Sequence, residues 1–134
     1  MASALVSDTH STIWYLLNDP RLSATAQREM ESAAQSGLPI YVPSITMVEI
    51  AYLVEKGRLM AELFRRVVEA CDDAQNVLLL APLDRAVSLA LPNISREQVP
   101  DMPDRIIAAT ALALGLPLIT RDGKIRTSSI ITIW

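Results

Sequence analysis

The chain has 134 residues, with 12 Lys and Arg against 15 Asp and Glu for a formal net charge of −3, a length that suits one domain over residues 1–134. At 51% hydrophobic, 20% charged and a mean hydropathy of +0.28 it has the makings of a packed core, which excludes disordered and fibrous architectures. The acidic balance excludes the simplest nucleic-acid binder, whose affinity comes from a strongly basic face, so any anionic substrate needs another attractor.

Residues 4–7 form a short apolar run ending at Asp8, and STIWYLLND follows with Ile13, Trp14, Leu16 and Leu17 at helical spacing: a strand, then a helix that Asp19-Pro20 breaks. Ser23 caps a second helix, ATAQREMESAAQ, which Gly37 closes and Pro39 stops, and residues 40–42 read as a buried strand. Two helices come next, ITMVEIAYLVEKG and about 60–71, then a strand at 77–80. Residues 84–91 read as helix, 92–103 as irregular chain with three prolines, and 104–114 as a helix that Gly115 ends. Residues 116–120 and the isoleucine-rich 129–134 supply the fourth and fifth strands. Continuously apolar strands separated by helices indicate an α/β fold with a parallel sheet covered on both faces.

Cys71 is the single cysteine, which excludes an internal disulfide, and its neighbours Ala70 and Asp72 give no metal-ligand spacing; it reads as a small packing residue. The start MASALVSDTH has no basic region before an apolar one, which argues against a signal peptide and for a cytoplasmic setting. The apolar uncharged run at residues 106–120 is 15 residues long and lies between Arg105 and Arg121. A membrane span needs roughly 20, so no membrane partner is expected.

In an open α/β sheet ligands bind beyond the carboxyl ends of the strands, and two acids fall there. Asp8 directly follows the first strand, and Asp122 follows the fourth in LITRDGK. Each has a plainer alternative: Asp8 as a helix cap, Asp122 with Gly123 as a turn. Glu49 interrupts a helix that is apolar almost all round, with Thr46 the other main interruption. Such a helix is normally buried, so Glu49 needs a cation, a strong donor or a solvent-filled cleft; a structural salt bridge to an arginine is the alternative. Asp104 opens the helix DRIIAATALALG, where capping would suffice, and Asp101 in the preceding loop could serve as either acid.

Four carboxylates converging on one crevice would raise one another's pKa values, and the usual relief is protonation or a hard cation with oxygen ligands. With no Cys or His pair, and His10 as the single histidine, the residue types suit Mg²⁺ or Mn²⁺ and not zinc. A metal cluster also answers the charge problem, since divalent ions attract a phosphodiester to an acidic protein. His10 itself reads as packing or surface.

The segments VSDTHSTIWYL, SITMVEIAYLVEKGRL, MPDRIIAATALALGLPLITRDGKI and the apolar ending resemble, in order and spacing, the PIN-domain family and within it the VapC-type toxins, over almost the whole chain. The resemblance implies a three-layer α/β/α sandwich around a central, mostly parallel five-stranded sheet. It also implies a Mg²⁺-dependent endoribonuclease, with Mn²⁺ as a substitute, acting on RNA, held inactive by a cognate antitoxin and usually dimeric. Residue by residue, Asp8 matches the family's first acid, Glu49 the helical one, Asp104 the one before A-A-T-A and Asp122 the last. Thr120 matches a hydroxyl position that helps organise the site, and Asp101 is a second acid where many members also carry one. On this resemblance Asp8, Asp104 and Asp122 hold one or two Mg²⁺ directly or through water, and Glu49 places or deprotonates the attacking water. Arg121, Lys124 and Arg126, beside Asp122, could line the RNA path or be ordinary solvated charges.

The competing reading is a non-catalytic PIN-like module that binds RNA or a protein, which the loss of one acid would have favoured. A phosphotransfer receiver lacks support because Ser7 precedes Asp8 and Ala81-Pro82 follows the third strand; a dehalogenase-type phosphatase lacks it because His10 stands where a second Asp is needed. The high hydrophobic fraction, with apolar surface expected around Trp14 and Tyr52, points to a homodimer with a further groove for an antitoxin helix.

Overall fold

The computed structural model describes residues 2–126 and 128–134. Strands β1 (Leu5–Ser7), β2 (Ile40–Pro43), β3 (Leu78–Ala81), β4 (Leu118–Ile119) and β5 (Thr132–Ile133) form one sheet in the order β3-β2-β1-β4-β5, with every pairing parallel. Between them run α1 (Thr9–Leu17), α2 (Ala24–Gln35), α3 (Ser44–Glu55), α4 (Ala61–Asp72), α5 (Arg85–Ala90), α6 (Met102–Leu114) and α7 (Gly123–Arg126), with a 3₁₀ turn at Leu91–Asn93.

Because side chains alternate across a strand, neighbouring residues feed two cores. Leu5 and Ile119 pack with Ile13, Met30 and Val67 from α1, α2 and α4, whereas Val6 and Leu118 pack with Val87, Ile107 and Ile125 from α5, α6 and α7. The result is the three-layer sandwich expected. Helix α3 reaches both layers, with Ile50 in the first core and Ile45 against the second.

Local signals account for the helix ends. Ser23 accepts from the Ala26 N–H at 3.0 Å to start α2, and Gly115, at φ +66°, takes the left-handed conformation that ends α6. Asn18 closes α1 in the same way at φ 52°, ahead of the Asp19-Pro20 break. Cys71 packs half-buried against the first core, as expected.

The structure differs from the sequence reading in places. Helix α1 starts at Thr9, two residues earlier than its apolar periodicity suggested, because Asp8 caps it. The turn weighed as the plainer alternative at Asp122-Gly123 is the start of the short helix α7. Helix α6 starts at Met102, so Asp101 and not Asp104 is its cap. The apolar surface expected at Tyr52 is present, 61% exposed with Val48 at 50%; burial differs at Leu79 and Leu80 on edge strand β3, which are exposed. The sheet is therefore not covered at that edge. Trp14, expected to leave apolar surface uncovered, is 3% exposed.

The loop before α6 is held by Arg105, whose guanidinium donates to the Leu91 carbonyl at 3.1 Å and to the Ile94 carbonyl at 2.9 and 3.2 Å. Among the described residues no helix is long and apolar enough to cross a membrane.

Candidate active site

From β1 the chain moves to β2 on one side, and later to β4 on the other, so the crevice beyond the β1 and β4 carboxyl ends is the switch point of the sheet. The Asp8 N–H donates to the Ile119 carbonyl at 3.1 Å and ties the two strand ends together. There lies a cleft of about 280 Å³ lined by Asp8, Glu49, Asp104 and Asp122, together with Thr9, His10, Ser11, Trp14, Ile107 and Arg121. Four acids from four separate chain segments thus meet in one place.

Each is held by local structure. Asp8 caps α1, its Oδ1 accepting from the Ser11 N–H at 2.9 Å, and the Thr12 hydroxyl donates to its carbonyl at 2.7 Å. Asp122 likewise uses Oδ1 to accept from the Lys124 N–H at 2.9 Å, while its own N–H donates to the Thr120 hydroxyl at 3.0 Å. Thr120 is fully buried, and its N–H pairs with the Ile133 carbonyl at 3.2 Å, so the residue before the acid loop is anchored in the sheet. For Asp8 and Asp122 the local backbone contact and the cleft are not alternatives. One carboxylate does both.

Asp101 and Asp104 divide the work that the sequence left open. Asp101 is exposed, and its Oδ2 accepts from the Asp104 N–H at 3.1 Å as the α6 cap. Asp104, in the first turn, lines the cleft. Burial pushes its carboxyl up to about 7, helped by the charges of Asp101 and Asp122, a hydrogen bond to Asp122 and the charge of Glu49. Near neutral pH it therefore exchanges a proton readily.

Glu49 makes no ion pair among the described residues. The salt bridge weighed for it is replaced by a strong donor: the Thr9 hydroxyl lies 2.5 Å from Oε1, and Thr46 lies 3.1 Å from the same hydroxyl. With Thr9 giving its one proton to Glu49, Thr46 donates to Thr9. Burial raises the Glu49 pKa, the Thr9 hydrogen bond lowers it, and Asp101 and Asp8 add to the rise against His10.

Thr9 was missed at the level of sequence. Its signal was adjacency to Asp8, together with the Thr46 and Glu49 spacing of three on one helix. His10 is exposed at the cleft rim with its ring 5.6 Å from that of Trp14. Of the three cations considered for substrate contact, Arg121 lines the cleft; Lys124 and Arg126 lie on α7 outside its lining.

Among the described residues no three His, Cys, Asp or Glu side chains form a ready ligand cage. The donor set nevertheless fits Mg²⁺, which keeps several waters and takes only one or two carboxylates directly. Asp104 and Asp122, near enough for the charge of one to act on the other, supply such a pair, with Asp8 within the same cleft for water-mediated contact.

The chain matches the PIN domain over residues 5–128 and belongs to that family. It is 26% identical over 137 aligned residues to Ribonuclease VapC22 of Mycobacterium tuberculosis (strain ATCC 25618 / H37Rv), covering 98% of this chain and 99% of that protein. In fold it resembles the crystal structure of VapBC2 from Rickettsia felis bound to a DNA fragment from their promoter, with a TM-score of 0.72 at 17% identity over 97% of each chain. It also resembles the FitAcB structure from Neisseria gonorrhoeae, with a TM-score of 0.60 at 20% identity, covering 96% of this chain and 95% of that one.

Proposed function

We propose that the protein is a Mg²⁺-dependent endoribonuclease and the toxin half of a toxin-antitoxin pair. The observation that carries this reading is the meeting of Asp8, Glu49, Asp104 and Asp122 in one cleft at the sheet's switch point. End-to-end similarity to a protein named as a ribonuclease supports it. Asp8, Asp104 and Asp122 would hold Mg²⁺, or Mn²⁺ in its place, and Asp104 gives up its proton as it does so. Bound metal would lower the pKa of a water and offset charge developing on the phosphate. Glu49, oriented by Thr9, positions the attacking water and accepts its proton; Thr120 keeps Asp122 aimed at the cleft, and Asp101 supports Asp104 from the cap. Arg121 in the cleft, and Lys124 and Arg126 on α7 beyond its lining, would contact the RNA.

Two partners belong to the same reading. A mostly apolar groove lined by Leu17, Leu59, Met60 and Leu63, together with Arg58, Glu62 and Arg66, would take an antitoxin segment, a reading that similarity to the VapBC2 structure supports. A second copy of the chain would cover the exposed face of α3: Val48 and Tyr52 lie one turn apart, and the Leu83 N–H donates to Ser44 at the start of the same helix.

The deciding experiment incubates the purified protein with structured RNAs in Mg²⁺ and in EDTA. Cleavage that needs the metal and is lost in Asp122→Asn is expected; binding without cleavage in Mg²⁺ would replace this reading by the non-catalytic one.

A further inference from the structure

Trp14 lies at the edge of the acidic cleft yet is almost wholly enclosed, so its ring cannot stack on a nucleotide base. Its surroundings are unusual for a core tryptophan. The Arg121 guanidinium carbon stands 4.9 Å from its ring centroid and that of Arg21 stands 5.2 Å away. The Trp134 ring lies 6.0 Å off at 56° and the His10 ring 5.6 Å off at 43°. Two guanidinium groups therefore share one fixed aromatic platform.

Their charges have different fates. Arg21 is taken up by Asp19, with Nε at 3.1 Å from Oδ1 and Nη2 at 2.7 Å from Oδ2. Arg121 makes no ion pair among the described residues, although it sits between Thr120 and Asp122 and lines the same cleft as four carboxylates. An exposed arginine beside so many acids would ordinarily fold onto one of them. Stacking on a Trp face opposes that collapse and leaves the in-plane N–H fork unspent, which is the geometry that grips a phosphate. Arg121 is also the one lysine or arginine among the residues that line the cleft, in a protein whose net charge repels a polyanion.

We infer that Trp14 is a positioning residue: its ring holds Arg121 clear of the carboxylates so that Arg121, rather than Lys124 or Arg126, grips a phosphate of the nucleic acid next to the reacting centre. The inference rests on the nuclease reading for its substrate, and Trp14 acts only through Arg121.

The test uses the full chain, a fluorescein-labelled hairpin RNA for binding in EDTA, and cleavage of the same RNA in Mg²⁺, for the parent, Arg121→Ala, Arg121→Lys, Trp14→Phe, Trp14→Leu and the Trp14→Leu/Arg121→Ala pair. Arg121→Ala should weaken binding about tenfold, raise KM more than it lowers kcat, and reduce the slope of log affinity against log salt by about 0.7, as loss of one phosphate contact on a single strand does. Arg121→Lys should restore the slope but only part of the affinity, because it keeps the charge and loses the planar stack. Trp14→Phe should weaken binding less than Trp14→Leu, and the double variant should bind no worse than Arg121→Ala alone. Unchanged binding and slope in Arg121→Ala would overturn the inference. So would a double variant whose losses add in full, since Trp14 would then act independently; should Trp14→Leu fail to fold, the same comparison is made with Trp14→Phe. A parent that binds but does not cut, with binding lost in Arg121→Ala, would remove the nuclease reading and keep this one; a parent that neither binds nor cuts removes both.

Discussion

The hydroxyl of Thr9 and the carboxylate of Glu49, 40 positions apart in the chain, lie 2.5 Å from one another. This contact explains how a carboxylate on a largely apolar helix persists without a cation: it is desolvated on one side, hydrogen-bonded by a buried hydroxyl, and open to the cleft on the other.

Replacing Glu49 by Gln keeps an oxygen for Thr9 and removes a charge that burial disfavours. In EDTA the variant should be as stable as the parent or more so, while cleavage in Mg²⁺ falls by at least about 100-fold. Denaturant unfolding beside an RNA cleavage assay checks both. A large loss of stability with normal cleavage would take Glu49 out of the active site.

Asp104 makes metal-free stability depend on pH. Its folded pKa of about 7 lies above the ordinary 3.8, so the folded state holds the proton more tightly and this contribution to stability is lost as pH rises from about 4 through 7. Asp104→Asn should flatten that dependence and, near pH 8 in EDTA, stabilise by about 1–2 kcal/mol once the side chain's partial exposure is allowed for. Cleavage should rise between about pH 6 and 8, with a midpoint that moves down as Mg²⁺ increases, because metal and proton compete. A parent whose unfolding in EDTA shows no such trend would contradict this.

Asp8→Asn and Asp122→Asn should abolish cleavage with little change in stability, since Asn caps a helix as well as Asp. Asp8→Ala loses the cap too and should cost about 1 kcal/mol more. Thermal unfolding of the three variants separates the cap from the cleft role; equal melting of Asp8→Asn and Asp8→Ala would mean that the α1 cap contributes nothing measurable.

Arg105→Ala removes three hydrogen bonds to the Leu91 and Ile94 carbonyls and should destabilise by about 2–3 kcal/mol. Urea denaturation reads the loss. A change below about 0.5 kcal/mol would indicate that water replaces the guanidinium at those carbonyls.

Light scattering should find the parent as a dimer at micromolar concentration and Tyr52→Glu shifted to the monomer, because a charge on the exposed α3 face would resist the desolvation that dimerisation there requires. A parent that stays monomeric would leave that face to another protein.

Much of the architecture was legible before any folding: strand runs without alternation, the Ser23 cap, the Gly115 stop, and acids just beyond two strands, all of which are consequences of local periodicity and backbone preference. The acids of the cleft were legible too, because a carboxylate at a strand end or on an apolar helix is conspicuous against its neighbours. Tertiary structure decided what depends on orientation. Asp101 and Asp104 are three residues apart at one helix start, and only the rotation of α6 against the sheet turns Asp104 inward and leaves Asp101 as the cap. Apolar surface was expected around Tyr52 and Trp14 alike, and only packing showed that Tyr52 is exposed with Val48 whereas Trp14 is enclosed. The pairings of Thr9 with Glu49 and of Trp14 with Arg121 join residues far apart in the chain; adjacency to Asp8 marks Thr9, but which residue it meets is decided only once the sheet has brought the segments together.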